Sequence, residues 1–336
     1  MNLDRKDLAE LGDFIKRNYR PDYVLLNQDF FNYFFKNYLS SDYSFKVIKI
    51  KNKIKAMLGL MPYKMKYFDK TVKAVFLLNL MVDKDLRGAG LGPKLVVEAQ
   101  EECDICYTLS YEKEMEPIYQ KLGWTKIPDL KRFVKIFNFE RTNKLALNKL
   151  DKENINNSLQ IDRSFVFEKI AKFESEINQF WQRVKERYPI TIERTADYLN
   201  WRYARHPLLK YHIFLLKKKG IIESFIVLRI EKGPGFEAGR IIDFICSDQS
   251  QEQALLNLLE YCKGLDFIDF FKAGDFYSKS LEKTGFVKAD SSLPMLLNPV
   301  DRSKKSINFI FKGKEKTQDI NAWYVTKGDG DQDRPN

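Results

Sequence analysis

Leu77-Leu78-Asn79-Leu80-Met81-Val82-Asp83-Lys84-Asp85-Leu86-Arg87-Gly88-Ala89-Gly90-Leu91-Gly92-Pro93-Lys94-Leu95 is the stretch from which the rest of the chain can be read. Up to Val82 it is apolar except at Asn79, which is the pattern of a buried strand. Glycines at 88, 90 and 92 then remove side chains from a turn, and an apolar helical period resumes through Leu95, Val96 and Ala99. Strand, glycine turn, helix is a cradle for an anion: successive backbone N–H groups converge and the helix N-terminus adds its dipole. Pro93 fits the first helical turn, where its missing N–H costs nothing. A nucleotide P-loop would need Lys then Ser or Thr after the last glycine, and Pro93-Lys94-Leu95 stands there instead. The dinucleotide fingerprint would need a third glycine at position 93, which is proline.

Outward from this stretch the periods are regular. A helix through Leu8, Leu11, Phe14 and Ile15 stops at Arg20-Pro21, and an aromatic segment from Tyr23 to Phe35 follows. Strands are expected over 45–50, 54–62 and 72–82, with a helix to about Glu102, a strand over 105–109 and a helix over 116–122. Further strands are expected near Trp124 and over 133–137. An amphipathic helix over 165–187 opens the second half. Strands over 211–216, 221–230, 240–246 and 267–271 follow, with helices over 251–262 and 277–283. The two halves repeat one order of elements. Lys121-Leu-Gly123-Trp124-Thr-Lys126 also matches Lys283-Thr-Gly285-Phe286-Val-Lys288, and Phe31-Asn32-Tyr33 resembles Leu199-Asn200-Trp201 after nearly the same shift. A duplicated domain is expected, with one unit over 1–145, a polar linker over 146–164, a second unit over 165–315 and a tail over 316–336.

What the residues match is Arg-x-x-Gly-x-Gly, as Arg87, Gly90 and Gly92, directly after an apolar strand. With Glu116-Pro117-Ile118-Tyr119-Gln120-Lys121-Leu122-Gly123-Trp124 one short strand later, the chain resembles the GNAT superfamily of acyl-CoA-dependent N-acyltransferases. The resemblance implies an α/β fold of two tandem GNAT-like domains, each a mixed, mostly antiparallel sheet flanked by helices. It implies that Arg87, Gly88, Ala89, Gly90, Leu91 and Gly92 hold the coenzyme pyrophosphate, while Leu80, Met81 and Val82 of the preceding strand pair with the pantetheine arm. The acyl donor would be acyl-CoA, most simply acetyl-CoA, with no metal. Tyr119 would protonate the departing thiolate, and a phenol of pKa about 10 stays protonated at neutral pH. The alternative for Tyr119 is an ordinary core tyrosine. The central strand offers Asn79 where a carboxylate base is common in the family. Asn79 can orient an acceptor or a water, and no base is assigned.

The second half lacks the glycine turn. After Ile241-Ile242-Asp243-Phe244-Ile245-Cys246 comes Ser247-Asp248-Gln249-Ser250-Gln251-Glu252, whose carboxylates repel a pyrophosphate. That copy is expected to keep the fold without coenzyme binding. Trp201 and Arg202, in the aromatic and basic run 194–207, are candidates for holding the acceptor by stacking and charge. That run, and the tail from Trp323 to Pro335, resemble tandem GNAT-like proteins of bacterial surface-polysaccharide gene sets, which implies an amino sugar, nucleotide-linked, as the small amine acceptor. Asp329, Asp331 and Asp333 read as a solvated tail or as carboxylates folded back to receive an amine; Arg334 stands where a calcium loop needs glycine.

Composition bounds the rest. The 57 Lys and Arg against 46 Asp and Glu give +11, which favours an anionic partner. The cations are spread over both halves instead of one recognition element, so nucleic acid is not expected. Two histidines, His206 and His212, exclude a histidine-rich metal site, and Cys103-x-x-Cys106 reads as buried structural thiols. No apolar run has the length of a membrane span, and the first residues lack a signal-peptide core, so a cytoplasmic, metal-free enzyme is expected, with a homodimer left open.

Overall fold

The computed structural model describes residues 5–36, 38–146, 159–233, 235–289, 306–313 and 319–335. The N-terminal half runs α1 (Arg5–Asn18), α2 (Gln28–Phe35), β1 (Phe45–Ile50), β2 (Lys53–Tyr67), β3 (Lys70–Val82), α3 (Leu91–Gln100), β4 (Ile105–Leu109), α4 (Glu116–Lys121), β5 (Thr125–Ile127), β6 (Lys131–Ile136) and α5 (Phe139–Leu145). The C-terminal half begins with β7 (Phe165–Ile170), α6 (Glu176–Val184), β8 (Ile190–Ile192) and α7 (Ala196–Leu199), which passes into a turn of π-helix at Asn200–Ala204. It continues through β9 (His212–Lys218), β10 (Ile221–Gly233), β11 (Phe236–Cys246), α8 (Gln251–Cys262), β12 (Phe267–Lys272), α9 (Ser278–Lys283), β13 (Val287–Lys288) and β14 (Phe309–Gly313).

One expected element is corrected. The helix expected over 165–187 is a strand, β7, followed by the shorter α6. Helical spacing of buried residues holds only for Ile177, Phe180, Trp181 and Val184. Before it, Phe165, Phe167 and Ile170 pair across to β9 in strand register, Phe165 opposite Lys218 and Ile170 opposite Ile213. Two aromatics at alternate positions suit a strand, and the sheet edge at β9 supplies the hydrogen bonds.

The fold is mixed α/β, with two mostly antiparallel sheets flanked by helices. The first sheet has the order β1-β2-β3-β4-β14-β5, with β8 added on β2; the second has the order β13-β6-β12-β11-β10-β9-β7. Among the described strands, only β3 with β4 and β11 with β12 form parallel ladders. The pairing does not follow the division read from the sequence. β6, from the first unit, lies between β12 and β13, while β14, from the second, lies between β4 and β5. Each half therefore completes the other's sheet. Of the linker expected over 146–164, residues 147–158 lie outside the described residues.

The exchange is repeated in side chains. Lys312 on β14 donates to the carbonyls of Leu122 and Gly123 at 3.1 and 3.2 Å. In the other half, Lys135 on β6 lies against Gly285, where an added Cβ would meet its Nζ at 2.5 Å. The helices echo the same relation: Tyr33 in α2 and Trp201 just after α7, matched in the sequence, stack on each other with centroids 5.4 Å apart. The Trp201 indole donates to the Tyr33 carbonyl at 3.2 Å, and the Tyr33 hydroxyl to the Arg202 carbonyl at 3.0 Å.

The tail is not solvated, contrary to one of its two readings. Trp323, Tyr324 and Asp329 are fully buried within one apolar core drawn from both halves. The Tyr107 hydroxyl of β4 donates to the Asp329 carbonyl at 2.5 Å, and Arg194, just after β8, bridges Asp329 to Asp243 on β11 of the other sheet. No described helix is long and apolar enough to cross a membrane.

Candidate active site

β3 and β4 are paired only from Ala74 opposite Ile105 to Phe76 opposite Tyr107. Beyond that register both strands run on, β3 to Val82 and β4 to Leu109, each still held on its outer side by β2 or β14. The parallel pair opens into a V at its C-terminal end, and the inner edge of residues 77–82 has no ladder partner among the described residues. A free strand edge of that kind takes an extended ligand by backbone hydrogen bonds.

A bulge sits in the wall of the V. Met57 pairs with Met81 but Gly59 with Leu78, so β3 carries one residue more than β2 at this point. That extra residue is Asn79, with φ +50°. The bulge resets which side chains face which layer: Phe76, Leu78 and Met81 enter the large core, whereas Val75 and Leu77 lie in the cluster beneath α3 and α4, with Leu80 and Val82 packed on it. Asparagine is among the few side chains that tolerate the left-handed region.

At the mouth of the V the backbone turns through Asp83–Gly90 into α3. Gly88 and Gly90 have φ of +85° and +81°, and nothing lies within 4 Å of where a Cβ would stand at either. Glycine is required there by backbone conformation, not by crowding. No side chain caps α3, so its first N–H groups face outward with the helix dipole behind them. Arg87 beside them is exposed. Asp83 does not oppose an anion there, because Lys55 bonds its carboxylate at 2.8 Å and holds its pKa below the usual range.

Tyr119 is brought to the same region. Its ring lies between Trp124 and Tyr111, at centroid distances of 4.7 and 5.7 Å, in the cluster that also receives Leu80, Val82 and Leu91. Its hydroxyl has no hydrogen bond among the described residues, and burial pushes its pKa up. It is a protonated phenol with its proton uncommitted. The fold thus joins Asn79, the Leu80–Val82 edge, the Arg87–Gly92 turn and Tyr119.

Trp201 and Arg202 are elsewhere, which corrects their expected role toward the acceptor. Arg202 is buried and spends its donors on the carbonyls of Gly328 and Gly330, at 2.9 and 3.0 Å. Trp201 is enclosed by Tyr33, Tyr38, Tyr63 and Tyr198. Arg202 fixes the tail between the sheets, Trp201 fills the aromatic cluster beside it, and neither presents a face to a small molecule.

Two site residues escaped the sequence reading. The Tyr23 hydroxyl donates to Asn79 Oδ1 at 2.7 Å, and Arg334 Nη1 reaches that hydroxyl at 3.1 Å while pairing with Asp331 at 2.6 Å. Tyr23 and Arg334 are 311 positions apart, so no local pattern announces the contact. The other tail carboxylates are taken: Asp333 binds Arg229 at 2.9 Å and Tyr211 at 2.7 Å.

The corresponding opening in the second half is filled. β11 and β12 pair from Ala238 to Ile241 and then diverge. Into the gap go Tyr277, whose hydroxyl accepts from the Cys246 amide at 3.0 Å and bonds that of Tyr188, and Tyr324, which donates to the Phe244 carbonyl. The tail backbone joins β12 at Ala273, whose amide donates to the Val325 carbonyl at 2.8 Å. Loss of the glycine turn there coincides with loss of the space.

No protein-family model matches the sequence, and no curated protein matches it. Solved structures do resemble it. A GCN5-related N-acetyltransferase from Anabaena variabilis aligns over 92% of this chain and 71% of its own, with TM-score 0.60 and 11% identity. A conserved Enterococcus faecalis V583 protein of unknown function, a probable N-acyltransferase, aligns over 93% and 71%, with TM-score 0.65 and 11% identity. Saccharomyces cerevisiae N-myristoyltransferase with bound myristoyl-CoA aligns over 92% and 76%, with TM-score 0.57 and 14% identity. At these identities the likeness shows the fold: two tandem GNAT-like domains.

Proposed function

We propose that the protein is an acyl-CoA-dependent N-acyltransferase whose single donor site is the V between β3 and β4. The observation that carries this reading is the free strand edge at residues 77–82 ending on an uncapped, glycine-lined helix N-terminus. Backbone groups of Leu80, Met81 and Val82 line the pantetheine arm. Amides from Gly88 to Gly92, with Arg87, bind the pyrophosphate. Acyl-CoA supplies the thioester, the neutral acceptor amine attacks it directly, the C–S bond breaks as the C–N bond is completed, Tyr119 gives its proton to the departing sulfur, and the proton released from nitrogen restores the phenol. The filled second opening supports one donor site per chain.

Acetyl-CoA titrated into the full chain should bind at one site by calorimetry. Gly90→Glu puts a side chain at φ +81° and a carboxylate where the pyrophosphate belongs. Affinity is expected to fall at least about 100-fold, on the order of 2.7 kcal/mol; wild-type affinity in that variant would refute the site. Likeness to a protein holding myristoyl-CoA makes chain length a second variable, so myristoyl-CoA belongs in the same titration.

Tyr119→Phe should leave acyl-CoA affinity intact and lower kcat about 100-fold, within the range for a general acid. Unchanged turnover would return Tyr119 to the core. For the acceptor, we propose a small amine, an amino sugar on a nucleotide carrier, a reading supported by the basic surplus. A screen of free and nucleotide-linked amino sugars against peptide N-termini, followed by thiol release, decides between the two classes. Thioester loss at the same slow rate with every amine would instead favour a CoA-binding scaffold.

A further inference from the structure

Asn79 is an inserted residue at the wall of the V, and only half of its amide is used. We propose that Asn79 Nδ2 donates a hydrogen bond to the acyl carbonyl oxygen of the bound thioester, and that Tyr23 and the tail residue Arg334 are positioning residues that fix it in that orientation. The inference rests on the reading of the V as the acyl-CoA site.

The direction of each hydrogen bond follows from the end of the network. A guanidinium can only donate. Arg334 Nη1 lies 3.1 Å from the Tyr23 oxygen, so that oxygen accepts there and must send its own proton elsewhere. Its other partner is Asn79 Oδ1, at 2.7 Å. The Asn79 amide therefore presents oxygen to Tyr23 and turns its nitrogen away. Arg334 is itself held by Asp331 at 2.6 Å, with its guanidinium carbon 5.7 Å from the centre of the Tyr23 ring. A residue from the far end of the chain thus sets which end of the Asn79 amide is left without a partner.

Asn79 Nδ2 has no hydrogen-bond partner among the described residues and is shut off from water, although the residue as a whole is half-buried. A buried donor left unmade is unfavourable, and a ligand that brings an acceptor relieves it. Two ligand atoms could serve, the acyl oxygen and the amine nitrogen. The attacking nitrogen must keep its lone pair for the carbonyl carbon, so a donor aimed at it would oppose the reaction. The acyl oxygen gains negative charge as nitrogen adds and loses it as the C–S bond breaks, which is where a fixed donor stabilises the transition state.

The test uses the full chain and [1-13C]acetyl-CoA, so that one readout needs no acceptor. Asn79→Asp keeps the size, the tolerance of positive φ and an oxygen for Tyr23, but replaces the donor by an oxygen. Asn79→Gly suits the backbone and removes the donor without adding charge. Both should bind acetyl-CoA within about threefold of wild type, raise the frequency of the bound labelled carbonyl band, and lower kcat about 100-fold, the scale of one oxyanion donor. Arg334→Ala should lower kcat about tenfold in the wild-type background and have no further effect in Asn79→Asp; a merely structural role would give the same loss in both. An unshifted carbonyl band, unchanged kcat, or a raised KM for the amine with kcat retained would overturn the Asn79 assignment, and an equal Arg334→Ala loss in both backgrounds would overturn the positioning role. Failure of the unmodified chain to bind acetyl-CoA would overturn the site reading and this inference together. Normal binding and turnover with Asn79→Asp would overturn the inference alone.

Discussion

Residues 1–146 produced without the rest of the chain should fail to fold, and mixing them with residues 159–336 should restore structure. The first sheet without β14 loses the strand between β4 and β5, so β5 is detached and β4 becomes an open edge. β6 loses both of its partners, β12 and β13. The apolar side chains that leave with the second half include Phe309, Ile310, Phe311, Ile190, Ile192 and Trp323, all at 2% exposure or less. At about 1.5–3 kcal/mol for each fully buried large side chain, this exceeds much of the 5–15 kcal/mol that a domain usually has in hand. Circular dichroism and denaturant titration of the fragment, alone and mixed with its complement, check it. A cooperative transition in the isolated fragment, with acetyl-CoA binding, would show that the exchange is dispensable.

Arg194→Leu is expected to destabilise the whole chain by about 3–5 kcal/mol, because it strands two buried carboxylates. The guanidinium is fully buried; Nε lies 3.1 Å from Asp243 Oδ2 and Nη2 lies 2.7 Å from Asp329 Oδ1. Asp329 also caps the turn at Thr326, whose amide donates to it at 2.7 Å, and Tyr203 donates to Asp243 at 2.9 Å. Burial raises the pKa of Asp329 against the pull of Arg194, and Asp243 adds to the rise. Without the cation, the largest pull against that rise is gone and the Thr326 amide is left to oppose it. Chemical denaturation should show a lower midpoint with an unchanged slope. Adding Asp243→Asn and Asp329→Asn to Arg194→Leu should recover part of the loss, since no unpaired charge then remains. Equal stability of Arg194→Leu and wild type would mean that the pair is not maintained in solution.

The strand, glycine turn and helix proposed to hold the donor were legible because they are local. A strand, a glycine turn and a helix written in consecutive residues from Leu77 to Leu95 fold as written, and Tyr119 follows within one strand. Duplication was legible as well, from the Lys-x-Gly-aromatic turns at 123 and 285. The exchange of β6 and β14 was not, since both are short apolar runs that fit either sheet, and their partners are chosen by tertiary packing. The 165–187 stretch misled because a helical stripe beginning at Ile177 was extended backward over alternating aromatics. Trp201 and Arg202 looked like a ligand site because stacking rings and a guanidinium serve a buried interior equally well. The Tyr23–Arg334 contact has no sequence signal of any kind.

A chain whose halves trade one strand each, in reciprocal positions and with a lysine from each strand placed at the other's glycine turn, has the architecture of a swapped homodimer whose two copies have been spliced end to end. In a true dimer, every substitution appears twice, and neither opening can change alone. Splicing removes that constraint. One opening can be walled up with Tyr188, Tyr277 and Tyr324 while the other stays open, and the partner's former surface becomes a scaffold free to specialise around the opening that remains.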